Sequence, residues 1–127
     1  MQAYEPVSVY LNGQYWGLYN LMERKGKDFI YNNHGEKEVD ILTSSDAKAV
    51  SGNISEYDQM IFYIAQNNIT TDSIYNKISN QVNIDSYIDY WVNETYCGAR
   101  DISVNIRYWK SKTEGSKWRW ISFVKVS

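Results

Sequence analysis

Asn12-Gly13 lies between two runs of alternating side chains, Val7-Ser-Val-Tyr-Leu11 and Gln14-Tyr-Trp-Gly-Leu-Tyr-Asn-Leu-Met22, and restricts the local fold more tightly than any other feature of the chain. Both central residues of a type I′ turn need positive φ, which glycine adopts freely and asparagine tolerates. The twist of that turn also matches the twist of the strands it joins. Val7, Val9 and Leu11 share one face before the turn, and Tyr15, Gly17, Tyr19 and Leu21 share a face after it. This period of two predicts a half-buried antiparallel pair. Pro6, the single proline, stands at the entrance of the first strand, where its missing N–H costs least. Gly17 marks either a close approach of backbone or ligand, or relief of crowding between Tyr and Trp side chains. Glu23 and Arg24 leave the second strand as a charged pair.

Residues 25–30 then read as a short helical or extended piece, and 31–39 as a polar connector holding the single histidine, His34, in an exposed loop. Val39-Asp40-Ile41-Leu42 reads as a short strand, and most of 43–55 as loop, rich in small and polar residues. Three helices are expected next. Tyr57, Ile61, Ile64 and Ala65 mark the first over 55–68, with Met60 and Phe62 widening its stripe. Ile74, Tyr75 and Ile78 mark a second, capped by Thr71 or Asp72. Ile84, Tyr87, Ile88, Trp91, Val92, Thr95 and Tyr96 keep one face of a third, with Asn83 or Asp85 as cap and Gly98 as stop. These stripes are expected to be core. Residues 102–109 alternate as a strand, 112–116 turn, and 118–123 return. The order hairpin, helices, hairpin is an α+β layout. It divides one domain, or a fragment of one, into a hairpin and connector over 1–42, a helical part over 43–98 and a C-terminal hairpin over 99–127.

Composition narrows the function classes. At 127 residues with 43% hydrophobic and 16% aromatic content, the chain has material for one core. The aromatics are 12 Tyr and 5 Trp against 3 Phe, so much of the apolar surface carries a polar handle that wants a partner when buried. The formal net charge is −2 and no Lys/Arg block occurs, which argues against nucleic acid as a partner. No stretch approaches the ~18 apolar residues of a membrane span. One cysteine, Cys97, excludes an internal disulfide and a Cys-based zinc site, and it is expected to be a buried, inert thiol. The compartment is not fixed by these features.

Chemistry concentrates in Arg100-Asp101-Ile-Ser-Val-Asn105-Ile-Arg107-Tyr108. A carboxylate just after a helix stop and just before a strand is held on rigid elements yet stays accessible, as a catalytic base must be. In an extended chain Asn105 returns to the same side and adds a neutral oxygen ligand for a hard cation. Protein kinases use an Arg-Asp…Asn loop in which the Asp accepts the substrate hydroxyl's proton and the Asn holds magnesium; here the spacing is one residue shorter.

Two strings carry a family resemblance. Residues 7–24 resemble the segment Val-Tyr-Leu-Asn-Gly-x-Tyr-x-Gly-x-Tyr-x-Leu-x-Glu-Arg of the CotH family, the spore-coat-H-like atypical protein kinases of bacteria. After a helix like 84–96, members of that family carry an Asp, an Asn and an aromatic-containing strand, the places held here by Asp101, Asn105 and Tyr108. The resemblance implies part of an atypical kinase fold that uses ATP and magnesium to phosphorylate serine residues of proteins. It implies Asp101 as the catalytic aspartate, Asn105 as a metal or phosphate contact, and Glu23 with Arg24 on the nucleotide side of the cleft. It also implies a protein substrate or a surface or coat partner, at a bacterial cell surface or spore coat. Two departures bear on activity. Where the family has an aromatic followed by Asp-Leu-Asp, this chain has Phe123 followed by Val124, Lys125 and Val126, and the family's nucleotide-contacting lysine would lie before Met1. Phosphoryl transfer depends on positioned charge, so an incomplete or inactive kinase domain is expected. The alternative is a noncatalytic surface or coat module that binds glycan or peptide through exposed Tyr and Trp.

Overall fold

In the computed structural model, residues 4–122 are described. Phe123, Val124, Lys125 and Val126, including the end of the expected return strand, lie outside them.

The N-terminal hairpin forms as its turn dictates. β1 (Tyr4–Leu11) and β2 (Gln14–Met22) pair antiparallel, and Asn12 and Gly13 take φ of 50° and 80°. Opposite Val9 the register shifts by a bulge, and Gly17 sits there at φ 148° with the Tyr19 ring 3.4 Å from the place of a Cβ. Of the two readings of Gly17, relief of crowding matches this geometry. The hairpin is a separate two-stranded sheet, and its two strands contact each other far more than any other described element.

A second sheet carries the core. Its strands are β3 (Val39–Thr43), β4 (Lys48–Ser51), β5 (Arg107–Ser111) and β6 (Arg119–Ile121), in the order β4-β3-β5-β6 and all antiparallel. Central β3 is buried from Val39 through Leu42, because both faces of the sheet are covered. Val39, Ile41, Trp109 and Ile121 face one cluster with Phe29 and Ile30 of α1 (Lys27–His34). Leu42, Tyr108 and Trp118 face the other, with Met60 of α2 (Ser55–Gln66), Ile78 of α3 (Asp72–Ser79) and Tyr90 of α4 (Ile84–Tyr96). Tyr57, Tyr108, Trp118 and Trp120 pack tilted, edge-on or stacked at 4.7 to 6.1 Å between ring centres, so aromatic rings fill the larger core. No helix of the described residues is long and apolar enough to cross a membrane.

The α+β layout stands, and several local expectations are corrected. The region 43–55 is turn and bend over 44–47 and 52–54 but also holds an unexpected strand: β4 hydrogen-bonds to β3, and Gly52 at φ 77° returns the chain against Asp40. The connector over 31–39 begins as helix, since α1 runs to His34, whose ring packs 4.9 Å from Trp109. On α2 the marked stripe holds in part, with Met60 buried and Tyr57 and Ile64 packed on the core, whereas on α4 the buried face is not the one the apolar spacing marked. Ile61, Phe62, Ile88, Val92 and Tyr96 are exposed, and α4 buries Tyr90 and Glu94 instead. Cys97 is exposed as well, because it caps the end of α4 and the turn at Gly98 carries the chain away.

Candidate functional site

The polar face of α4 builds the site. Asn83 caps the helix, its side chain accepting from the Ser86 N–H at 2.9 Å. Ser86, Tyr90 and Glu94 then follow at four-residue spacing and point together toward β6 and the chain after α4. The Ser86 hydroxyl accepts from the Trp120 N–H at 2.9 Å and donates to its carbonyl at 3.3 Å. The Tyr90 hydroxyl donates to the Ile102 carbonyl at 3.1 Å, and Glu94 accepts from the Ser122 hydroxyl at 2.9 Å. These bonds explain why polar groups displace the apolar stripe from the core: each finds a backbone or side-chain partner there.

Tyr90 thereby anchors the residue next to Asp101. Burial, with Glu94 and Asp101 adding to it, pushes the Tyr90 phenol up to about 12, so it remains a donor across the physiological range. Asp101 and Asn105 are brought together, but not by an extended strand. The Asp101 carbonyl accepts from the Val104 and Asn105 N–H groups at 3.0 and 2.9 Å, one turn of helix, and β5 begins only at Arg107. Across that turn the Asn105 amide donates to the Asp101 carboxylate. The turn is also held from the β3–β4 side: the N–H groups of Ser44 and Ser45 bond to the carbonyls of Ile106 and Ser103, and the Thr43 hydroxyl to that of Ile106. Asp101 and Asn105 are both exposed, so the pair presents a carboxylate oxygen and an amide oxygen to solvent on a braced backbone.

The exit of β2 reaches the same end of the sheet. Glu23 is half-buried and Arg24 exposed. The Arg107 guanidinium donates to the Lys25 carbonyl, joining the hairpin's exit to the residue two positions after Asn105. Burial, with Arg24 beside it, lowers the Arg107 pKa. Lys25 itself is only 2% exposed, and its ammonium donates to the Ser122 carbonyl. Burial brings its pKa down to about 8, with the nearby Glu94 opposing the shift and Arg107 adding to it. Sequence reasoning missed Lys25 and Glu94. A charged residue one turn beyond Tyr90 on a packed helix was the available signal for Glu94. Nothing in the spacing around Lys25 marked that position for burial.

A surface cavity of about 530 Å³ lies elsewhere, lined by His34, Trp109, Lys117 and Arg119 among others, and neither Asp101 nor Asn105 lines it. Among the described residues, no three His, Cys, Asp or Glu side chains gather as metal ligands. The two oxygens of Asp101 and Asn105 fit the way magnesium is usually held, by one or two carboxylates plus substrate phosphates and waters rather than by an all-protein cage.

A family model described as CotH kinase protein matches residues 1–123. No curated protein matches the chain, and no solved structure does.

Proposed function

The chain belongs to the CotH family, and from that premise we propose that the Asp101–Asn105 turn is the reacting end of a kinase-like site for ATP and a serine-bearing protein. The observation that carries this reading is the hydrogen bond between the two side chains on a turn fixed by Tyr90 and the β3–β4 segment. Asp101 accepts the proton of the substrate serine hydroxyl as the oxygen attacks the terminal phosphorus, and the departing diphosphate carries away the bond electrons. Asn105 orients Asp101 and offers its amide oxygen to magnesium or phosphate. Magnesium, when bound, neutralises charge building on the phosphate oxygens. Glu23 and Arg24 face the nucleotide side.

Val124 and Val126 stand where the resemblance expects carboxylates, so the chain as it stands transfers phosphate poorly or not at all. The test restores them. Relative to the chain as it stands, Val124→Asp with Val126→Asp is expected to raise magnesium-dependent labelling of a serine-bearing protein from ATP. Adding Asp101→Asn should lower the rate on the order of 100-fold or more, as loss of a positioned base does. Transfer that is indifferent to Asp101 would overturn the reading.

The noncatalytic reading is favoured by a different observation, the exposure of Tyr15 and Trp16 on the hairpin. It expects glycan or peptide binding that disappears with Trp16→Ala and does not respond to Asp101→Asn.

A further inference from the structure

Three cationic residues meet where the hairpin hands over to the second sheet. Arg24 and Lys25 leave β2 through a tight turn in which the Gly26 N–H bonds to the Arg24 carbonyl at 2.8 Å, and the Arg107 guanidinium donates to the Lys25 carbonyl. Lys25 turns its ammonium inward to the Ser122 carbonyl. Arg24, by contrast, is exposed, and Arg107 is half-buried. Arg107 opens β5, where Tyr108 packs into the larger core and Trp109 into the smaller one. Strand alternation therefore sets Arg107 on the face of Trp109 and α1, beside the hairpin's exit.

The charge of this arginine pair is not balanced. Among the described residues the ion pairs are Lys48 with Asp46, Lys110 with Glu56 and Lys112 with Asp40, and neither arginine takes part in one. Burial first, and Arg24 beside it second, lower the Arg107 pKa, so the two guanidiniums work against each other. A pair of exposed arginines on mobile side chains would only be solvated. Arg107 differs because its bond to a main-chain carbonyl fixes it while using one of five donors, which leaves most of a planar fork for an acceptor. It also stands two residues after Asn105, about 7 Å along an extended chain, on the frame that holds the Asp101 turn.

We infer that Arg107, together with Arg24, binds a chain of phosphate groups. That the chain is the tail of the nucleotide rests on the kinase-like reading of the Asp101–Asn105 turn; the polyphosphate site itself does not. A guanidinium fork matches two phosphate oxygens at once, and two adjacent cations suit a ligand with several linked negative charges better than one carboxylate. A row of phosphates gripped at Arg107 reaches toward the Asp101–Asn105 turn, which places the far end of the row at the reacting groups. Nothing in the family resemblance assigns Arg107 a role.

Calorimetric titration of the full chain with tripolyphosphate, without magnesium or nucleoside, tests this. Binding is expected, and Arg107→Gln and Arg24→Gln are each expected to weaken it on the order of tenfold or more with thermal unfolding unchanged. Arg24→Gln, at an exposed position, guards against a loss caused by misfolding. Arg107→Lys should recover part of the affinity, since it restores the charge without the fork. Lys77→Gln, on α3 beside Tyr63, should change nothing. No tripolyphosphate binding, binding indifferent to both arginines, an equal loss with Lys77→Gln, or capture of a polyglutamate peptide in place of tripolyphosphate would each overturn the inference. The two readings fail separately. Arginine-dependent tripolyphosphate binding without Asp101-dependent transfer from ATP upholds the phosphate site and removes the kinase reading, and the reverse pattern removes the phosphate site alone.

Discussion

Gly52 and Lys25 show how single residues decide what their elements can do. A Cβ on Gly52 would stand 1.9 Å from the Asp40 carboxylate oxygen, on a backbone at φ 77° that L side chains rarely adopt. That oxygen accepts from the Asn53 N–H at 2.9 Å, so Gly52→Ala strains the backbone and displaces a buried acceptor together. A loss of about 2 kcal/mol in chemical denaturation is expected, and a loss within a few tenths of that for a neutral surface change would refute the account of this turn. Lys25 has a pH signature. Between about 8 and its ordinary 10.5, the unfolded chain still holds a proton that the folded chain has released. Folding therefore strengthens as pH rises through that window, and the full penalty for the buried ammonium applies below it. Denaturation at both ends of the window should show the wild type gaining on Lys25→Met as pH rises; parallel behaviour would contradict the burial of the charge.

At the scale of elements, α4 explains which parts of the fold were legible in the sequence. Apolar spacing located the helix, and Asn83 is one of its two expected caps. The spacing chose the wrong face because Ser86, Tyr90 and Glu94 are polar by type but satisfied by β6 and by the turn after α4. Such partners are distant in sequence and leave no periodic trace. The hairpin was legible for the opposite reason, since its Asn-Gly turn fixes it locally. The same locality let the strand over 102–109 be read too early, because alternation cannot show that Asp101 closes a helical turn. Two outcomes test α4. Asn83→Ala should cost about 1 kcal/mol as a lost cap. Tyr90→Phe should cost about 1 kcal/mol, the worth of one hydrogen bond left with an unpaired carbonyl, and should speed amide exchange at Val104 and Asn105 more than in β3. Uniform exchange would mean that Tyr90 does not brace the turn.

Across the whole molecule, a sheet covered on both faces holds Asp101, Asn105 and the exit of the hairpin at one end. The residues that resemblance assigned to a kinase-like site are thus on a fixed frame, with Arg107 bonded to the Lys25 backbone between them. By sequence alone, Val124 and Val126 occupy the positions at which the resemblance expects metal-holding carboxylates. Calorimetric titration with ATP and magnesium of three chains addresses this directly: the chain as it stands, the chain with Val124→Asp and Val126→Asp, and that restored chain with Asn105→Leu. The account predicts magnesium-dependent binding that tightens about tenfold or more on restoration, ~1.4 kcal/mol, and is lost again with Asn105→Leu. Restored binding that ignores Asn105, or a folded restored chain that binds no nucleotide, would contradict it.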